Sequence, residues 1–335
     1  MEQVNWGIIG CGNVTEKKSG PAFNKIEGSK LVAVMRRNAS EAEGYAHRHG
    51  VPKFYSDASL LINDAEVNAV YIATPPDTHA KYAIEAMKAG KAVYVEKPMA
   101  LNIAECEQMI RVSLETGQPL FVAYYRRRLP SFRKIKELID NREIGDVKFM
   151  HVQLHNPLRP EETDPDKEPG WRVFPEISGG GHFHDLAAHQ FDYLEYLLGP
   201  IKEAKGISLN QTGHYPADDM VTAAFLFESG VAGTGSWCFS VPENLKTDTT
   251  VIIGSEGKIT FSFFENQDIY VEKSDGSHQH YNIPHPENIQ RPLIQDIVDQ
   301  LLGKGAVSPS TGKTGIRSTM IMEWITSKQQ PHKEL

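Results

Sequence analysis

Apolar and polar positions change rhythm near residue 124. Before it, short continuous apolar runs recur at residues 4–9, 31–35, 69–73, 92–95 and 120–123. Runs of this length predict strands buried on both faces of a sheet. Between them, residues 39–49, 57–63, 77–89 and 102–116 carry helical periodicity, with Asp77 as an N-cap and Gly90 as a C′ stop. Strands alternating with helices over about 120 residues predict a doubly wound parallel sheet.

After residue 124 the apolar runs give way to alternation. Residues 147–154, 221–227, 231–237, 249–253 and 258–264 read as half-buried strands of an antiparallel sheet. Helices are predicted over 131–140, 177–198, 289–302 and 314–328, and a Pro-rich acidic loop over 156–169. The run Arg126-Arg127-Arg128 reads as the solvated start of a basic helix, or else as a contact for an anionic group. At 335 residues the chain is long for one core, so two α/β domains are expected, over 1–123 and 124–335. An open sheet of this size needs cover, which predicts a homodimer or homotetramer formed through the second domain.

Composition narrows the partners. With 40% apolar and 23% charged residues the chain suits a globular protein, and a formal charge of −8 disfavours nucleic acid and anionic membranes. Its three cysteines are too scattered for a disulfide framework or a zinc site. No apolar segment approaches the roughly 20 residues of a membrane span, and the N-terminus does not read as a signal peptide. A reducing cytoplasm is the expected compartment.

The candidate chemistry sits at the ends of predicted strands. Gly10-Cys11-Gly12-Asn13-Val14 follows the first strand, the arrangement that brings backbone close to a pyrophosphate. Thr15 stands where the usual fingerprint has a smaller residue. Arg36-Arg37 follow the second strand, where an acid would bind a ribose hydroxyl; arginine suits a 2′-phosphate, so NADP is expected over NAD. Thr74-Pro75-Pro76 and His79 form a stiff loop that can wall a cofactor cleft or make a plain strand-to-helix turn. The strand over 92–95 ends in Glu96-Lys97-Pro98, which puts two charges at the carboxyl edge of the sheet. In the second half, Gly179-Gly180-Gly181 precede a helix on which Asp185, His189 and Asp192 share one face. His182 and His184 with His189 could suggest a metal, although zinc would want a fourth ligand.

Residues 7–13, 73–79 and 95–100, with Trp171-Arg172, Gly179–Gly181, Asp185-x-x-x-His189, residues 254–257 and the helix pattern at 293–302, resemble the Gfo/Idh/MocA family over nearly the whole chain. The resemblance implies a large, mainly antiparallel open sheet in the second domain. It implies NAD(P)-dependent hydride transfer on a sugar, polyol or sugar derivative, with no metal. It implies that Lys97 and His189 lie beside the nicotinamide, that Trp171-Arg172 reach the cofactor, and that the Lys97-Pro98 bond is cis. Asp185 would orient His189 or bind a neighbouring hydroxyl. The family also includes non-catalytic dinucleotide-sensing regulators; Lys97, Asp185 and His189 together favour the enzyme.

Overall fold

The computed structural model describes residues 2–164 and 166–327. Residue 1 of the predicted first domain, residue 165 of the predicted loop, the last residue of the predicted 314–328 helix and the rest of the chain to 335 lie outside the described residues. The chain forms two compact units that are not consecutive stretches. One comprises the residues to Arg133 together with Pro284–Arg317; the other comprises Lys134–Ile283 and the chain from Ser318.

The first unit opens with β1 (Val4–Ile9), the short helices α1 (Asn13–Lys17) and α2 (Gly20–Phe23), β2 (Ser29–Met35), α3 (Ala39–His49) and β3 (Lys53–Tyr55). It continues through α4 (Ala58–Ile62), β4 (Ala69–Ile72), α5 (His79–Lys88), β5 (Ala92–Val95), α6 (Ile103–Thr116) and β6 (Leu120–Val122). The strands lie in the order β3-β2-β1-β4-β5-β6, all parallel. β4, β5 and β6 are buried along their whole length, which is why they read as unbroken apolar runs. The order reverses between β1 and β4, and ligands of such sheets bind where the strands end at that point.

Three expectations change here. Asp77 is not an N-cap: it lies inside a 3₁₀ turn over Pro76–Thr78, and α5 starts after Thr78 without a side-chain cap. The edge strand β3 has no apolar run and was not expected. The three arginines do not start a solvated helix. They form a 3₁₀ turn over Tyr125–Arg128 in which Arg126 and Arg127 are buried. Arg127 donates to the Pro309 carbonyl at 2.8 Å, and Arg128 pairs with Asp296. Both partners lie in the returning segment, far away in sequence.

In the second unit, α7 (Pro130–Asp140, shared with the first) leads to β7 (Val147–His155), α8 (Pro160–Thr163), α9 (Pro175–Ser178) and α10 (Gly181–Leu198). Then come β8 (Ile201–Leu209), β9 (Met220–Phe227), β10 (Ala232–Cys238), β11 (Thr247–Gly254), β12 (Gly257–Phe261), β13 (Asp268–Lys273) and β14 (His278–Asn282). They form one sheet in the order β14-β13-β12-β11-β7-β10-β9-β8, antiparallel except for β7 with β10. The helix predicted over 177–198 is two helices, because Gly179 and Gly180 at positive φ break it. α10 covers one face of the sheet: Phe191 meets Phe225 and Trp237, and Tyr193 meets Phe261 and Phe263. The side chains of Phe149, Ile207, Leu209 and Tyr270, on strands of this sheet, are exposed.

Last come α11 (Arg291–Leu301), packed into the first unit, and α12 (Gly312–Thr326). Among the described residues no helix is long and apolar enough to cross a membrane.

Candidate active site

The first unit gathers three loops at the carboxyl ends of β1, β4 and β5. Gly10, at φ +90°, lies against the loop after β4; a Cβ there would stand 2.7 Å from Thr74 Cγ2 and 2.8 Å from Thr74 N. The turn is anchored on β2, with Gly10 N and Cys11 N donating to the Met35 carbonyl. Gly12 is the N-cap of α1, and a Cβ on it would meet nothing nearer than the Gly10 carbonyl at 3.9 Å. The side-chain side of the Gly12 Cα is therefore open. Thr15 fits because it is fully buried and its hydroxyl donates to the Gly12 carbonyl at 2.8 Å. The close packing is supplied instead by Gly20, whose Cβ would lie 2.3 Å from both Thr15 O and Tyr45 Oη. These features fit a bound dinucleotide.

Arg36 and Arg37 are exposed just past β2, and Arg36 pairs with Glu41 in the first turn of α3 at 2.6 Å. Thr74 and Pro75 are partly exposed and Pro76 is buried. His79 has no accessible surface; its ring nitrogens face the Thr74 carbonyl at 2.8 Å and the Pro98 carbonyl at 3.0 Å. Such burial keeps His79 below the ordinary histidine range. Its observed part is to tie the loop after β4 to the Glu-Lys-Pro turn, rather than to offer a surface to a ligand.

Glu96 is buried, and two groups converge on its Oε1: the Tyr71 hydroxyl at 2.5 Å and Gln290 Nε2 at 2.6 Å. Burial first, and the Glu96 charge next, push the Tyr71 and Tyr94 phenols well above their usual range, so both remain O–H donors. Lys97 follows, partly exposed, with its amide donating to Glu96 Oε2 at 3.3 Å. The Lys97-Pro98 peptide is cis, as the resemblance implies.

The second unit holds the other predicted residues. Asp185, His189 and Asp192 are buried on α10. Arg172 Nε donates to Asp185 Oδ2 at 2.9 Å while its guanidinium lies 4.4 Å from the Trp171 ring centroid. Arg172 is thus seen on a carboxylate of its own unit. One turn earlier, His182 Nε2 lies 2.6 Å from buried Glu162 of α8. Burial raises the Glu162 carboxyl, but bonds from His182 and the Arg159 amide outweigh this and hold it low. The two contacts tie α8 and the Trp171-Arg172 turn to α10. The His189 ring meets Phe264 at 6.3 Å, and the Phe264 loop is shaped by Asp248, which accepts the amides of residues 263, 264 and 265. Glu162, Asp248 and Gln290 were not found from the sequence. Each is a polar residue in an ordinary polar context whose partner is fixed only by packing.

His184 has a measurable consequence. Its Nδ1–H donates to the Gly180 carbonyl at 3.0 Å, and burial drives its pKa down to about 4, against the weaker opposite pull of that bond and of Asp218. The unfolded chain takes up this proton near pH 6.5 and the folded one does not, so stability falls as pH drops from about 6.5 to about 4. The expected loss from this group is about 3 kcal/mol, at roughly 1.4 kcal/mol per pH unit. Burial also lowers His79, His155 and His285, in the same direction. Denaturant unfolding of His184→Asn across this range isolates the His184 share: the variant should show a visibly shallower pH slope than the parent.

Comparison with known proteins fits both units. A family model described as an oxidoreductase family with an NAD-binding Rossmann fold matches residues 4–124, and the C-terminal domain model of the same family matches 132–260. An oxidoreductase of Formosa agariphila is 42% identical over 323 residues, covering 96% of this chain and 98% of the relative. An inositol 2-dehydrogenase of Rhizobium meliloti is 27% identical, covering 81% of this chain and 74% of its own. Among solved structures, a levoglucosan dehydrogenase in complex with NADH and levoglucosan shares the fold, with a TM-score of 0.86 at 23% identity and 96% of each chain covered.

Proposed function

This chain belongs to the Gfo/Idh/MocA oxidoreductase family, and from that premise we propose how its residues divide the work of moving a hydride to or from a secondary alcohol of a sugar or polyol. It is an NAD(P)-dependent oxidoreductase acting on CH–OH groups. When bound, the nicotinamide supplies or accepts the hydride at the reacting carbon. The Lys97 ammonium donates a hydrogen bond to the substrate oxygen and offsets the negative charge that develops there. His189 exchanges the hydroxyl proton. Asp185, held by Arg172, orients His189 or binds an adjacent hydroxyl.

The observation that carries this reading is the Glu-Lys-Pro turn. A buried carboxylate is wired to Tyr71 and Gln290, and the next residue is a lysine left partly exposed where β5 ends. A carboxylate taken out of water is costly unless fully bonded, and here the bonds fix the backbone of one ammonium-bearing residue. A regulator that only sensed dinucleotide would need no such arrangement. The test is to mix the protein with NADPH or NADH and a panel of keto-sugars and follow absorbance. Oxidation of the coenzyme by at least one sugar supports the reading, and inertness towards the whole panel with both coenzymes removes it.

NADP is the proposed coenzyme, since Arg36 and Arg37 stand at the end of β2 where a 2′-phosphate would lie. A charge-assisted hydrogen bond contributes about 1.5–3 kcal/mol, so Arg37→Ala should lower the NADPH-over-NADH preference in kcat/KM by about tenfold or more. An unchanged ratio, with Arg36→Ala also silent, would point to NAD. We also read the sheet bearing exposed Phe149, Ile207, Leu209 and Tyr270 as the surface of a homo-oligomer, and a reducing cytoplasm as the compartment.

A further inference from the structure

Gln290 has no accessible surface and sits at the N-terminus of α11, in the segment that returns to the first unit after the Lys134–Ile283 stretch of the second. Its side chain bridges two groups of β5 and the turn after it. The Tyr94 hydroxyl donates to Gln290 Oε1 at 2.7 Å, and Gln290 Nε2 donates to Glu96 Oε1 at 2.6 Å. Tyr94 thereby fixes which end of the amide faces the carboxylate: only the NH₂ end can donate to it. The same few residues also hold the far end of α1, the helix that follows the glycine turn. Gln290 N donates to the Lys18 carbonyl at 3.2 Å, and Asn288 Nδ2 donates to the Lys17 carbonyl at 2.7 Å, at the C-terminal end of α1. Lys25, just past α2, donates to Asn288 Oδ1 at 2.8 Å.

We propose that residues 288–290 form a clamp that sets Lys97 and the glycine turn in one fixed geometry, with Gln290 a positioning residue for Lys97 and Asn288 one for the coenzyme turn. It rests on the hydride-transfer reading for its effect on turnover, but not for its effect on coenzyme binding. The two arms of the clamp predict different losses. Without the Gln290 amide, Glu96 Oε1 keeps Tyr71 but loses its second donor, and the Lys97 backbone loses a brace. A misplacement of about 1 Å at a reacting group can cost around 100-fold in rate, so a partial loosening should cost about tenfold. Without the Asn288 amide, the far end of α1 loses one of its two bonds to this segment, and the turn before it loosens.

The experiment pairs steady-state kinetics with fluorescence titration of NADPH. Gln290→Met, close in volume and lacking both polar atoms, should lower kcat about tenfold with coenzyme Kd within threefold of the parent. Asn288→Ala should raise coenzyme Kd about fivefold, with a smaller effect on kcat. Gln290→Glu separates positioning from space-filling. The introduced carboxyl lies against Glu96, two such groups share one proton, and loss of that proton at higher pH breaks the contact. The kcat profile of this variant should begin its alkaline fall at a lower pH than the parent does. Should Gln290→Met fail to fold, Tyr94→Phe keeps the ring, removes the hydroxyl that orients the amide, and should lower kcat by a smaller factor. Parent-like kcat in the folded Gln290 or Tyr94 variants, an unaltered pH profile in Gln290→Glu, or an unchanged coenzyme Kd in Asn288→Ala overturns the clamp. A parent protein that binds NADPH but reduces no sugar would overturn the hydride-transfer reading alone; the Kd of Asn288→Ala still decides the clamp.

Discussion

Lys97→Met is expected to lose turnover by about 10³-fold while NADPH still binds, because methionine is unbranched and only one atom shorter, and it carries neither the charge nor the donors. A single donor aimed at a developing oxyanion is worth roughly 10²–10³ in kcat, and the ammonium adds a full charge. The loss should appear in kcat and kcat/KM alike, the signature of an interaction made in the transition state. Coenzyme affinity should survive, since Glu96 keeps its bonds to Tyr71 and Gln290 and the turn keeps its shape. Steady-state rates at saturating coenzyme, with NADPH titration by fluorescence, read both quantities. Full turnover in Lys97→Met would remove Lys97 from the chemistry. Loss of NADPH binding instead would make it a coenzyme ligand.

Gly10→Ala is expected to be a strongly damaging one-carbon change in the first unit. The residue sits at φ +90°, a conformation that costs a residue with a Cβ about 1–3 kcal/mol by itself. The new methyl would also meet backbone: Thr74 N at 2.8 Å and Ala73 C at 2.9 Å. That backbone is not free to yield, since Ala73 N is bonded to the Ile9 carbonyl at 2.8 Å and the two strands are in register through Ile9 and Ile72. The turn must move instead, which carries it away from the coenzyme position. A loss of about 3 kcal/mol or more in urea unfolding is expected, with NADPH affinity down by about tenfold or more. Gly12→Ala is the control, because a Cβ there meets only the Gly10 carbonyl at 3.9 Å. It should leave stability nearly unchanged and weaken NADPH alone. Equal stability losses at the two positions would show that packing of the turn is not what Gly10 serves.

The site was legible in the sequence wherever a local rule forces a residue type. A turn that needs positive φ and close approach takes glycine, so Gly10 stands out. A helix face repeats every three to four residues, so Asp185, His189 and Asp192 fall together. The Arg126–Arg128 run was misread for the opposite reason. Charge clusters usually face water, and nothing nearby in sequence reveals the Pro309 carbonyl and the Asp296 carboxylate that receive these side chains. Likewise β8 and β14 lack a strong alternating pattern. Both are edge strands, where one side needs no partner and polar residues are tolerated.

By itself, then, the sequence determined the parallel alternation of the first half, the glycine turn, the Glu-Lys-Pro end of β5 and the polar stripe of α10. All of these follow from steric and periodic constraints spanning a few residues. Only the tertiary structure decided that residues 284–317 return to the first unit, that Gln290 braces a carboxylate 194 residues away, and that Arg172 and Glu162 tie the Trp171-Arg172 turn and α8 to α10. A buried polar atom must find a partner, but which atom comes to face it is set by how whole elements pack, and no local pattern carries that information.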